Sequence, residues 1–203
     1  MRKLTRFRYI DWPEYGRLVE ELARVVASED EDFDLVVGIA RGGVPVAMAV
    51  SDRLGTKTDF INVKSYLGLG SRTKPKILAT ITEEIGAKRV LLVDDLIDEG
   101  DTMRTVTEYL SRKGPAVIKT AVLFKKPWSS VQPNYSLSVV GEWVVFPYER
   151  GEVKRLRSAQ RGRERAASRG SQRGRGAASP ARARTDVQEG RLSEHEGSNR
   201  ARL

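Results

Sequence analysis

An α/β fold is predicted, a mostly parallel twisted sheet flanked by helices and followed by a disordered C-terminal tail. Two observations predict the folded part. Short β-branched apolar runs such as L-V-V-G-I-A (35–40) and R-V-L-L-V (89–93) read as strands buried on both faces. Segments of helical periodicity separate such runs, the alternation expected of a parallel sheet with helices on its faces. A third observation concerns the end of the chain. Residues 151–203 contain no aromatic residue and repeat Arg, Gly, Ser and Ala, as in R-G-S-Q-R-G-R-G. Such a segment buries too little apolar surface to offset its ordering entropy. The expected organisation is therefore a domain over 1–150 and a basic tail over 151–203.

The elements follow in order. Residues 13–28 place Leu18, Leu22, Val25 and Val26 at helical spacing, with Pro13 in the first turn. After the strand at 35–40 comes the glycine-rich turn R-G-G-V-P, then a helix over 44–54 closed by Gly55. D-F-I-N-V (59–63) is a strand. Residues 64–76 lack periodicity and carry Lys64, Arg72, Lys74 and Lys76, which reads as a mobile loop. Strands are expected at 77–81 and 89–93. A helix over 102–113 follows, with Thr102 as N-cap, Arg112 and Lys113 in its last turn and Gly114-Pro115 beyond. Two more strands are expected at 119–124 and 142–146.

Composition narrows the chemistry. The formal charge of +9 resides almost wholly in the tail, since residues 1–150 carry 22 Lys or Arg against 21 Asp or Glu. The folded part is thus not a basic nucleic-acid-binding domain, and the tail, lacking aromatics for stacking, offers nucleic acid only weak, salt-sensitive contact. There is no cysteine, and the single histidine, His195, lies in the tail. Thiolate chemistry is excluded, and acid–base work in the domain falls to carboxylate, lysine or tyrosine. With no apolar run near 18 residues and no signal-like N-terminus, a soluble cytoplasmic protein without membrane contact is expected.

Residues 90–102, V-L-L-V-D-D-L-I-D-E-G-D-T, hold five carboxylates within eight residues directly after an apolar strand. Two like charges about 4 Å apart repel by roughly 1 kcal/mol in water and by several times that near an interior. A ligand is needed to compensate. The carboxyl end of a central strand is where open α/β sheets bind ligands. A helix N-terminus there suits phosphate, and adjacent Asp94 and Asp95 suit sugar hydroxyls or Mg²⁺.

This stretch resembles the phosphoribosyl pyrophosphate-binding motif of type I phosphoribosyltransferases: four apolar residues, two acids, two apolar residues, then D-[TS]-G-x-T. V-V-G-I-A-R-G-G-V-P (36–45) looks like the family's pyrophosphate loop. F-K-K-P-W-S-S-V-Q-P-N-Y (124–135) and E-W-V-V-F-P-Y-E (142–149) look like base-binding segments of the short microbial purine enzymes of the xanthine–guanine and hypoxanthine–guanine type. The resemblance spans about 140 of the 203 residues.

It implies transfer of ribose 5-phosphate from phosphoribosyl pyrophosphate to a 6-oxopurine in purine salvage, with Mg²⁺, by a homo-oligomer (dimer or tetramer). Asp94 and Asp95 would face the ribose hydroxyls and the metal. Asp98, Glu99, Gly100, Asp101 and Thr102 would wrap the 5′-phosphate, and Asp98 would exchange a proton with purine N7. Arg41 and Gly42 would bind pyrophosphate, beside a cis peptide. Lys126 would read the 6-oxo group, Trp143 would stack on the base, and the Val144 carbonyl would meet the group at C2. Ser65 and Tyr66 would belong to the catalytic loop.

The chain departs from the motif where Glu99 replaces Thr or Ser and Asp101 fills the variable position. Either phosphate binding weakens or these side chains turn outward. Strand alternation lets only one of Lys125 and Lys126 face a pocket, and the match favours Lys126. Trp128 reads as packing. Two alternatives stand beside this assignment. One is the same scaffold acting on adenine or a pyrimidine; the other is a non-catalytic sensor of phosphoribosyl pyrophosphate.

Overall fold

The computed structural model describes residues 6–29, 31–64, 67–68, 71–72, 75–155 and 158–159. The chain divides into two compact units, Met1–Arg155 and Leu156–Leu203, and the second lies almost wholly outside the described residues. The disorder expected of the tail over 151–203 therefore falls outside the description, apart from residues 151–155 and 158–159, which are helical.

The elements run β1 (Phe7–Tyr9), α1 (Trp12–Ala27), β2 (Leu35–Ala40), α2 (Gly43–Leu54), β3 (Lys57–Lys64), β4 (Leu67–Gly68), β5 (Ser71–Arg72), β6 (Lys76–Ala79), β7 (Arg89–Ile97), α3 (Asp101–Ser111), β8 (Val117–Lys125), β9 (Tyr135–Val139) and β10 (Trp143–Val145), with a 3-10 turn at Pro147–Glu149. The central sheet has the order β6-β3-β2-β7-β8-β9. All its neighbours are parallel except the edge pair β3–β6. A separate parallel pair joins β1 to β10.

Period-two alternation divides each buried strand between two cores. Val36, Leu91, Val93, Ala121 and Leu123 pack on one face with α1 and α2. Leu35, Val37, Ile39, Val90, Leu92 and Val122 pack on the other with Met103, Val106 and Leu110 of α3. Helices thus cover both faces, as the alternation of elements predicts.

Several local expectations need correction. The buried stripe of α1 is Tyr15, Val19, Leu22, Ala23 and Val26, while Val25 is exposed. Asp11, one residue before the helix, caps it by accepting the Glu14 N–H at 2.8 Å. The loop expected from Asp94 onward is strand as far as Ile97, because β8 runs beside β7 in register to Ile97↔Lys125. Thr102 is not the N-cap of α3. Gly100 is, at φ 99°, a left-handed conformation that suits glycine. Arg112 is the C-cap rather than part of the last turn, and Lys113 lies beyond it. The expected mobile loop contains the short β4–β5 pair where it is described. Besides β4 and β5, two strands escaped the sequence reading. β1 at three residues is too short to show periodicity, and β9 is half exposed and polar.

Candidate active site

The site gathers at the carboxyl ends of β2, β7 and β8. After β2 the chain crosses to β3 on one side, and β7 lies on the other. The loops therefore diverge between β2 and β7, opening a crevice at the switch point. The turn after β2 begins with a cis peptide between Ala40 and Arg41.

Glycine lets this turn lie against the acidic strand. A Cβ built on Gly42 would come within 2.2 Å of Asp95 Oδ2, and one on Gly43 within 2.5 Å of the Val93 carbonyl oxygen. The Gly43 backbone N–H donates to the Asp94 carboxylate. Both aspartates are half-buried. Burial, then the charge of Asp95, holds the Asp94 carboxyl well above the usual carboxylate range. Burial also raises Asp95, opposed chiefly by a hydrogen bond from the Tyr148 hydroxyl to Oδ2 at 2.5 Å. Glu149, next to Tyr148, is pushed up to about 6 by burial and the Asp95 charge.

The five carboxylates do not share one environment. Asp98, Glu99 and Asp101 are exposed, and Asp101 pairs with Arg104 at 3.4 Å. Of the two outcomes expected for Glu99 and Asp101, their exposure matches the outward turn. Thr102, half-buried, sits in the first turn of α3. The Glu99 carbonyl accepts the Ser130 N–H at 3.2 Å and its hydroxyl at 2.8 Å.

Lys126 follows β8 directly and is only 3% exposed. Its Nζ donates to the Glu142 carbonyl and lies 5.6 Å from the centroid of the Trp128 ring. Burial lowers its pKa, which the charges of Asp98 and Glu142 partly oppose. Lys125 points elsewhere and donates to the Gln132 side chain. Trp128 is more than packing, for its indole N–H donates to Asp98 Oδ1 at 2.8 Å.

Trp143 is not core. It is 42% exposed on β10, tilted at 41° to Phe7 with ring centroids 6.4 Å apart. The Trp143 N–H donates to the Arg6 carbonyl, and the Val145 carbonyl accepts the Ile10 N–H. Parallel pairing uses alternate residues, so the backbone N–H and C=O of Val144 face away from β1. Arg41 has its side chain 83% exposed and forms a 2.8 Å ion pair with Glu152. Ser65 and Tyr66 lie outside the described residues.

A glycine turn, an acidic strand end and a helix N-terminus meeting at one switch point agree with a family match. Residues 8–151 match the family model described as phosphoribosyl transferase domain. The chain belongs to the phosphoribosyltransferase family. It is 31% identical over 134 residues to the hypoxanthine-guanine phosphoribosyltransferase of Lactococcus lactis, covering 62% of this chain and 73% of that protein. It is 29% identical to the xanthine-guanine phosphoribosyltransferase of Gluconobacter oxydans, covering 71% and 86%. The crystal structure of a purine phosphoribosyltransferase from Pyrococcus horikoshii is similar at 36% identity and a TM-score of 0.63, covering 70% of this chain and 93% of that one.

In this phosphoribosyltransferase the sequence reading missed Tyr148, Glu149, Glu152 and the hydrogen bond of Trp128. Tyr148 lies 53 residues from Asp95, and Glu152 lies 111 from Arg41. No local pattern announces such pairs. Among the described residues, no helix is long and apolar enough to cross a membrane.

Proposed function

We propose that this phosphoribosyltransferase transfers ribose 5-phosphate from phosphoribosyl pyrophosphate to a 6-oxopurine (hypoxanthine, guanine or xanthine), releasing pyrophosphate in purine salvage. One observation carries the choice of base. A buried Lys126 ammonium, a pure donor, stands at the mouth of β8 and already satisfies a carbonyl. A 6-oxo group can accept from it, whereas a 6-amino group cannot. Trp143 would stack on the base, and the outward-facing Val144 carbonyl would take the group at C2.

The remaining roles belong to the same proposal. Asp94 and Asp95 would hold the ribose hydroxyls, and residues 98–102 would wrap the 5′-phosphate through backbone N–H groups and Thr102. Arg41 and the Gly42 turn would hold pyrophosphate. An exposed ion pair such as Arg41–Glu152 contributes only about 0–1 kcal/mol, so a multiply charged phosphate can displace Glu152. Ser65 and Tyr66 would close the loop over the site.

Asp94 and Asp95 also fit Mg²⁺. They are adjacent hard oxygen donors that burial pushes toward protonation, and a dication beside them would relieve that strain on their charge. Among the described residues no group of three or more His, Cys, Asp or Glu side chains could form a closed metal cage, so substrate oxygens and water would complete the shell. The bound ion would supply charge neutralisation for the departing pyrophosphate. As the C1–oxygen bond breaks and the base nitrogen bonds to C1, pyrophosphate leaves with the electron pair and Asp98 takes the N7 proton. Positioning and charge stabilisation carry the rest. The reading extends to a cytoplasmic homo-oligomer, with the transferase domain over 1–150 and a disordered tail from 151.

Pyrophosphate release measured with each candidate base tests this. Turnover is expected with a 6-oxopurine and not with adenine or a pyrimidine; turnover with adenine alone, or none with any base, overturns it. Asp98→Asn should lower kcat by about 10²–10⁴ while leaving phosphoribosyl pyrophosphate binding largely intact.

A further inference from the structure

The segment between β8 and β9 touches three successive residues of the phosphate loop. Trp128 donates to Asp98 Oδ1 at 2.8 Å. Ser130 binds the Glu99 carbonyl through both its N–H and its hydroxyl, and its Oγ also accepts from Arg104 at 2.5 Å. Val131 lies so close that a Cβ on Gly100 would meet its Cγ2 at 2.6 Å. The same segment begins at Lys126, whose ammonium faces the Trp128 ring at 5.6 Å. One short stretch thus touches both the base reader and the proton acceptor.

We propose that Trp128 is a positioning residue for Asp98, with residues 128–131 serving as a brace that aligns the phosphate loop to the base. This deepens the reading above and rests on Asp98 exchanging the N7 proton. Asp98 is exposed at the loop, and a free carboxylate there would sample several rotamers. The indole N–H can only donate, so it fixes Oδ1 and leaves Oδ2 to receive the proton. The Lys126 cation over the ring draws electron density from the indole and strengthens that N–H as a donor. A base bound at Lys126 therefore finds its proton acceptor already oriented, which is the part of a barrier that positioning removes.

Trp128→Phe tests it, because Phe keeps a ring for Lys126 and removes only the donor. Loss of this one hydrogen bond to a charged group should lower kcat roughly five- to thirty-fold, which is about 1–2 kcal/mol at about 1.36 kcal/mol per decade. The KM for phosphoribosyl pyrophosphate should stay within about two-fold, since none of the 5′-phosphate contacts proposed above comes from Trp128. Within an Asp98→Asn background the same change should cost less than about two-fold, because residues acting through one another are not additive. Trp128→His retains a ring N–H and should recover part of the lost kcat, a result that a purely structural role would not give.

Wild-type kcat in Trp128→Phe overturns the proposal. So does an equal loss in both backgrounds, or no recovery in Trp128→His. The two levels separate cleanly. If Asp98→Asn turns over at the wild-type rate, the acid–base reading fails and this inference with it. If Asp98→Asn is impaired and Trp128→Phe is not, the inference alone fails.

Discussion

The two ends of the site are built in different ways. At the end proposed for phosphate and ribose, backbone and short carboxylates interlock. Gly42 lies against Asp95, the Gly43 N–H binds Asp94, and Tyr148 ties Asp95 down. At the end proposed for the base, the groups come from separate elements: the Lys126 side chain after β8, and the Trp143 ring and Val144 carbonyl on the small β1–β10 sheet. The first end tolerates almost no added volume, whereas the second depends on which way each side chain points. Rigid recognition of an invariant sugar-phosphate suits packed backbone. Choice among bases suits side chains that can differ one at a time.

The largest expected effect that sharpens this contrast is Gly42→Ala. The new methyl meets a carboxylate that Tyr148 and the strand hold in place, so something must shift. Overpacking of this kind costs about 1–3 kcal/mol, and a displacement near 1 Å at reacting groups costs roughly 10²-fold in rate. A loss of about that size in kcat/KM is expected, whereas Gly141→Ala, with nothing within 4 Å of its Cβ, should be silent. Near-normal activity in Gly42→Ala would show that the phosphate end is not the tightly packed one.

Next comes the base end. Lys126→Ala should raise the KM for a 6-oxopurine about 10- to 100-fold, the range for one lost charge-assisted contact, with little change for phosphoribosyl pyrophosphate. Lys125→Ala should do neither, since its ammonium is engaged with Gln132. The reverse pattern in steady-state kinetics would mean that the wrong lysine reads the base.

The smallest effect is on stability. Glu149 has its pKa raised to about 6 from an ordinary value near 4.5, so the folded state favours its protonated form. The sign follows from proton linkage: between about pH 4.5 and 6 the folded chain holds more protons than the unfolded one, so this group's contribution is present below the unfolded pKa and lost as pH rises through 6. Glu149→Gln removes the titration and keeps an oxygen for the Phe146 N–H. Its melting temperature should match the wild type near pH 4.5 and exceed it by a few degrees at pH 7.5. A gap that does not change with pH would remove burial beside Asp95 as the cause.

The two ends also differ in how far they could be read beforehand. Asp94, Asp95 and residues 98–102 stand in one contiguous stretch after an apolar strand, and the Gly42-Gly43 turn follows another. Chain neighbours at a strand end share a place in any parallel sheet, so these residues were legible from order and composition alone. That only one of Lys125 and Lys126 can face a pocket came from strand alternation, also a local rule, and the choice of Lys126 came from the family resemblance. Glu99 and Asp101, where the motif is broken, allowed two outcomes, and the structure has both side chains exposed.

Sequence alone determined the strands of the central sheet other than β9, the position of the glycine turn and the acidic mouth, because periodicity and chain order act over a few residues. Tertiary structure alone decided that β7 runs on through Asp94 and Asp95, since a strand ends where its neighbour stops pairing and β8 continues to Lys125. It decided that Tyr148 holds Asp95, that Glu152 meets Arg41 and that Trp128 reaches Asp98. Each of these contacts joins residues at least 30 positions apart, and a hydrogen bond between distant side chains leaves no periodic trace in the chain. Only the packing of both helix layers against one sheet brings such pairs within 3 Å.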